Sequence, residues 1–97
     1  MRYKGLKYKN KIITKTVDID DILMKNGFYW VIDSEIEEAD IEIENKTLIW
    51  KNGYFYHGYW HYGIFKNGEF HGTWENGIFE NGIFKGKWIS GISLSEL

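Results

Sequence analysis

Cysteine and proline are absent from these 97 residues, alanine occurs once (Ala39) and arginine once (Arg2). Without cysteine there is no disulfide, no thiolate nucleophile and no cysteine-ligated metal. Small extracellular domains usually rely on such staples, so an intracellular or particle-bound setting is expected. No apolar run approaches the roughly 18 residues that span a bilayer. The opening Met1-Arg2-Tyr3-Lys4 leads into a mixed Lys/Tyr stretch rather than the apolar core of a signal peptide. The expected location is therefore cytoplasmic, in a host cell, or virion-associated, with no membrane partner. Lys4, Lys7, Lys9 and Lys11, interleaved with Tyr3 and Tyr8, could touch nucleic acid, but a single arginine disfavours specific base readout.

What is present is aromatic and segregated in charge. The chain is 43% hydrophobic and 19% aromatic with a net charge of −2, a composition that folds rather than stays disordered, in one domain of modest core. Lys, Ile, Asn, Phe and Tyr are the residues that A/T-rich codons encode, which points to an A/T-rich bacterium or its phage. The first sixteen residues carry Arg2, Lys4, Lys7, Lys9, Lys11 and Lys15 and no acid. Val17 to Trp50 carries ten acids against Lys25 and Lys46. Such blocks either pair internally or present two faces to partners.

The second half is a repeat. Aromatics fall at Trp50, Phe55, Trp60, Phe65, Phe70, Trp74, Phe79, Phe84 and Trp88, five residues apart except for steps of four at Phe70→Trp74 and Phe84→Trp88. Glycine precedes each by two places from Gly53 to Gly86, and Gly91 continues the beat. The unit reads Gly-x-Phe/Trp-x-Asn, with one residue lost twice. A period of five fits neither a helix nor a plain strand, and a glycine in every unit would cost a helix about 1 kcal/mol each time. Asn-Gly readily takes positive φ, so each unit is a short extended piece and a corner. Turning the same way each time, the chain winds into a mainly β fold, a short β-solenoid with rings stacked inside and glycine leaving room beside them. The alternative is an antiparallel meander or hairpin-repeat sheet.

With Gly53, Gly58 and Gly63 at the small position and Phe55, Trp60 and Phe65 at the centre, the unit resembles a divergent form of the pentapeptide repeat. That resemblance implies a solenoid of square cross-section. Tryptophan at the centre, glycine in place of alanine or serine, and the two four-residue units depart from the pattern. The unit is also similar to Asn-Gly-Phe/Trp runs in proteins of phages and large viruses.

Residues 1–33 are expected to cap the coil as strand, helix and strand. Lys11 to Thr14 suits a strand. Asp18 to Gly27 suits a helix with Ile19, Ile22 and Leu23 buried and Gly27 as its C-terminal cap, and Phe28 to Ile32 suits a strand by composition. Residues 34–49, where Ile36, Ile41 and Ile43 alternate with acids, suit a first, glycine-free coil, and residues 50–92 the repeat itself.

No nucleophile arrangement or phosphate loop stands out, so an enzyme is not expected, nor a cofactor. His57 and His61 are four apart, but Gly58 and the five-residue beat deny the helix that would make them a metal pair. Glu37, Asp40, Glu42 and Glu44 read as a solvated face, as a phosphate-like acidic row or as a general acid–base or calcium set, Asp40, Glu42 and Glu44 stepping about 7 Å along one face of a strand. Tyr54, Tyr56, His57, Tyr59, His61 and Tyr62 flank interior positions and are the candidate binding surface, for protein or glycan, unless the leading half covers them. The expected function is stoichiometric binding of another protein, for example inhibition of a host defence enzyme by a phage or mobile-element protein. A virion structural component and a glycan-binding module are the alternatives, and self-association through solenoid ends is open.

Overall fold

Two hairpins set the direction of the chain, each turning on a pair of residues in the left-handed region. In the computed structural model, which describes residues 1–95, Lys9 (φ 50°) and Asn10 (φ 63°) join β1 (Tyr3–Tyr8) to β2 (Lys11–Ile13). Asn45 (φ 50°) and Lys46 (φ 63°) join β3 (Glu35–Glu44) to β4 (Thr47–His57). Both centres of each turn have φ > 0, the geometry that matches the twist of the flanking strands.

Beyond the second hairpin the chain winds into a β-solenoid of about three turns. Its pieces are β4, then β5 (Tyr59–Trp60), β6 (Ile64–Phe65), β7 (Glu69–Phe70), β8 (Thr73–Trp74), β9 (Ile78–Phe79), β10 (Ile83–Phe84), β11 (Lys87–Trp88) and β12 (Ile92–Ser93). All neighbours in the coil are parallel: β4–β6–β9–β12 on the first side, β4–β7–β10 on the second, β5–β8–β11 on the third. Parallel pairing removes the meander, whose neighbours would alternate in direction. The cross-section has three sides, not the four of a square coil. Phe65 sits over Phe79, Phe70 over Phe84 and Trp74 over Trp88, each fourteen residues on. Both four-residue steps fall at the same corner, between the second and third sides. They are the regular form of a fourteen-residue coil rather than losses from a five-residue one.

The interior is three columns of rings. Trp50, Phe65 and Phe79 stack on the first side (5.7 and 5.0 Å between centroids), Phe55, Phe70 and Phe84 on the second (4.8 and 5.4 Å), and Trp60, Trp74 and Trp88 on the third (5.0 and 5.4 Å). Planes within a column lie within 18° of parallel, while rings of adjacent columns meet edge-on. Each ring thus has offset-stacked and T-shaped neighbours, the two favourable aromatic geometries. Every column ring from Trp50 to Phe79 is fully buried. Coil-to-coil distance sets the demand for glycine: a Cβ on Gly82 would lie 2.5 Å from the carbonyl oxygen of Gly68 directly above it.

The leading half closes the start of the coil. The acidic segment 34–49 does not form a first coil in the same sense. As β3 it follows the perimeter in the opposite direction, antiparallel to β4. A bulge at Glu37–Asp40, with Glu38 at φ 52°, bends β3 around the corner held by Gly53 on the next layer. β3 therefore covers the first two sides. β1 lies parallel to β3 beyond it, so one sheet runs β12-β9-β6-β4-β3-β1-β2 with an inner row of Ser93, Phe79, Phe65, Trp50, Ile41, Leu6 and Ile13.

The strand expected over Phe28 to Ile32 is instead a short helix, α2 (Tyr29–Ile32), after α1 (Thr16–Lys25). Trp30 and Val31 are adjacent and both buried, which a helical turn permits and an alternating strand does not. α1 buries Ile19 and Leu23 and ends at Gly27 (φ 83°). The Gly27 N–H donates to the Met24 carbonyl and the Phe28 N–H to that of Leu23, the paired bonds of a Schellman cap. α2 seats Trp30 edge-on against Trp60 and so covers the third side of the coil. The only arginine, Arg2, donates to the carbonyls of Val31, Ile32 and Ser34 at 2.7–2.8 Å and ties α2 to β1.

Candidate functional site

Because the chain turns a corner every five residues, side chains that are close in sequence leave the coil in different directions. The six residues Tyr54, Tyr56, His57, Tyr59, His61 and Tyr62 do not form one platform. Tyr54 and Tyr56 stand on the second side, their rings stacked at 5.5 Å and 9°. His57 lies exposed at the next corner, and Tyr59, 58% exposed, projects from the third side above Thr73 and Lys87. His61 is stacked flat on Trp30 (5.4 Å, 1°) and meets Tyr29 edge-on, and Tyr62 packs 6.0 Å from Phe28. The leading half thus stacks on His61 and touches Tyr62, which stays 46% exposed, while Tyr54 is 41% exposed and Tyr56 half-buried.

The Tyr54–Tyr56 pair has partners from neighbouring layers. Glu37 of β3 is in register with Tyr54 on one side, and Glu69 of β7 on the other. His71 lies 5.7 Å from the Tyr56 ring and shares a 2.6 Å hydrogen bond with the Glu69 carboxylate. Desolvation and then the negative charge of Glu37 push the Tyr56 phenol above its ordinary range. Glu35, Tyr56, His57 and His71 line a shallow depression at this corner. Glu69 and His71 escape a reading of the primary sequence because they lie one coil away. The only signal for them is the fourteen- to fifteen-residue spacing that places Glu69 under Tyr54.

A second groove, of about 450 Å³, runs across the layers at the corner between the first and second sides. Gly53, Gly68 and Gly82 form its floor, with Asn52, Asn67 and Tyr54 among its walls. The Asn52 side-chain oxygen accepts from the Gly53 N–H at 2.9 Å, which holds the amide against the corner.

The acidic row is divided by the bulge. Asp40, Glu42 and Glu44 stay on the first side, where Lys51 lies 3.6 Å from Asp40 and Lys7 is the cross-strand neighbour of Glu42. Glu37 passes around the corner to Tyr54. The basic arm and the acidic block therefore meet within one sheet, and the first-side acids are interleaved with lysines rather than forming a uniform negative strip. Among the described residues no three His, Asp or Glu side chains are grouped to hold a metal ion, and no helix is long and apolar enough to cross a membrane.

Comparison of the chain with protein-family models, with curated proteins and with solved structures finds no match to any of them.

Proposed function

We propose that the chain acts without catalysis, by stoichiometric binding of a protein partner through the second side of the coil, in the manner of a small phage or mobile-element inhibitor of a host enzyme. The observation that carries this reading is the stacked Tyr54–Tyr56 pair, Tyr54 exposed and Tyr56 half-buried, between Glu37 and Glu69. Two π faces flanked by carboxylates attract a cationic group, so the partner surface that fits is one presenting a lysine or, better, an arginine. Rigid tyrosines lose little entropy on binding, and these two stand on a backbone fixed by an antiparallel ladder to β3 on one side and a parallel ladder to β7 on the other. The A/T-biased composition supports the phage or mobile-element origin. Kinship with pentapeptide-repeat proteins rests on the Gly-x-Phe/Trp unit, against the three-sided section.

The test is affinity capture from the lysate of a bacterial host, comparing the parent chain with Tyr54→Ala and Glu69→Lys. A host protein retained by the parent and lost by both variants supports the proposal. A host protein held equally by all three, or none held by the parent, refutes it.

The glycine-floored groove favours one further reading, a glycan laid along the Asn52 and Asn67 amides against the Tyr54 ring. Silence on a glycan array removes it. Service as a structural component of a virion is tested by mass spectrometry of purified particles, where an inhibitor would be scarce.

A further inference from the structure

The corners of the coil differ in chemistry although each is built around glycine. Between the first and second sides the layers read Asn52-Gly53-Tyr54, Asn67-Gly68-Glu69 and Asn81-Gly82-Ile83. Between the second and third sides they read His57-Gly58-Tyr59, His71-Gly72-Thr73 and Lys85-Gly86-Lys87. These last three triplets line a groove of about 390 Å³ that runs along the flank of the coil, across its layers. Being on the flank, it owes nothing to either end of the coil. Its floor is glycine. Its walls carry ammonium, imidazole and hydroxyl groups, every one able to donate a hydrogen bond, and no carboxylate.

The two lysines stand one layer on from His71 and Thr73. Lys87 is in register with Thr73, and the Lys85 N–H donates to the Phe70 carbonyl, next to His71. Both side chains are exposed, and among the described residues neither lies in an ion pair. The acids of this region are held elsewhere. Glu69 shares its 2.6 Å bond with His71, and Glu35 lines the depression on the Tyr56 side. Only Gly86 separates Lys85 from Lys87, so their charges repel across it, and an anion set between them relieves that repulsion. The main chain adds donors. Gly72 is buried, and the N–H groups of Gly72 and Gly86 make no hydrogen bond among the described residues. At Gly53 and Gly77 the preceding asparagine accepts the glycine N–H at 2.9 Å, and this corner has no asparagine. A buried N–H without an acceptor is rare.

We propose that this glycine-floored, lysine-walled corner binds a tetrahedral oxyanion, the phosphate or sulfate group of an esterified ligand. Lys85 and Lys87 supply the charge. The Thr73 hydroxyl and the Gly72 and Gly86 N–H groups supply the orientation, and bonds from such donors to an ionised acceptor are the strong ones. Without a Cβ on the floor, the ligand oxygens approach the main chain closely. The site goes beyond the Tyr54–Tyr56 pair, which attracts cations, and does not rest on it.

Nuclear magnetic resonance titration of the nitrogen-15-labelled chain tests it, with sodium phosphate in one series and sodium sulfate in another. Sodium chloride holds the ionic strength constant, so that general screening does not change. Amide shifts centred on Gly72, Thr73, Gly86 and Lys87 should saturate. Lys85→Glu/Lys87→Glu should weaken binding at least tenfold, the equivalent of about 1.4 kcal/mol. Lys11→Glu/Lys46→Glu, which changes the net charge equally at the two hairpins, should stay within about twofold of the parent. Lys85→Arg/Lys87→Arg should bind as the parent does, and circular dichroism checks that each variant is folded. Saturation by phosphate alone assigns phosphate esters, by sulfate alone sulfate esters, and by both either group; each supports the proposal. Shifts that stay linear in both series, shifts spread over the surface as chloride alone produces them, or a folded Lys85→Glu/Lys87→Glu variant with parental affinity overturns it.

Discussion

Trp30 stands edge-on to Trp60, with ring centroids 5.1 Å apart and planes at 71°, and ends the tryptophan column on the side where no coil precedes it. Its other neighbours are Phe28, His61 and Tyr62, so one side chain joins the cap to the coil. Trp30→Ala is expected to cost about 3–5 kcal/mol in urea unfolding, the range for truncating a buried aromatic. A loss below about 1 kcal/mol would show that the coil holds its first layer without α2.

The corner glycines differ in what they tolerate. Gly82 has φ 122°, and its Cβ would meet the Gly68 carbonyl at 2.5 Å, so Ala there combines backbone strain with a clash against main chain. Gly27 has φ 83° with nothing within 4 Å of its Cβ, so Ala there meets strain alone. Thermal or urea unfolding should place Gly82→Ala about 3 kcal/mol or more below the parent, and Gly27→Ala only about 1–2 kcal/mol below. Equal losses would contradict close layer contact as the reason for glycine in the coil.

Arg2 holds three main-chain carbonyls at the end of α2. Removing the guanidinium leaves those acceptors without their cation, and Arg2→Ala should lower stability by about 2–3 kcal/mol. Arg2→Lys should recover only part, because a point-like ammonium cannot reach three carbonyls in the plane of the guanidinium fork. Full rescue by lysine would mean that charge alone matters.

Tyr3 predicts a response to alkali. Its phenol is buried and donates to Asp20 at 2.5 Å; burial first, and then the bond to Asp20, push its pKa up to about 12. The folded phenol keeps its proton where the unfolded one, near 10, has lost it. The stabilisation is complete below pH 10 and drains away as the pH rises through about 12, amounting to roughly 3 kcal/mol at its limit. Urea midpoints measured between pH 9 and pH 12, for the parent and for Tyr3→Phe, should fall steeply in the parent and more gently in the variant. Parallel curves would show that another group governs the alkaline limb.

The interior of the coil was legible because inward positions repeat. A ring every fourth or fifth residue with glycine two places before it has one economical explanation, and the columns from Trp50 to Trp88 follow from it. The number of sides was not read from the sequence, where the two short steps look like losses from a five-residue unit; only the parallel pairing shows that their fourteen-residue separation is one turn of a three-sided coil. Two local readings failed for definite reasons. Phe28 to Ile32 has strand composition, but burial of the adjacent Trp30 and Val31 overrides it. The direction of β3 depends on the Asn45-Lys46 turn, whose two positive φ values reverse the chain where an alternating pattern looks the same either way.

Spacing and residue type by themselves determined which rings face inward, where the corners lie and that the start of the coil needed a cover, because these rest on local sterics and on burying apolar surface. Only the tertiary structure decided the outer surface. It separated Tyr54 from Tyr59 by a corner, set His61 against Trp30, brought Glu69 and His71 from the next coil to Tyr56, and moved Glu37 away from Asp40 through a single bulge. Outward neighbours are fixed by how many residues complete a turn and by which way each strand runs. Those quantities come from the whole fold rather than from any one unit of it.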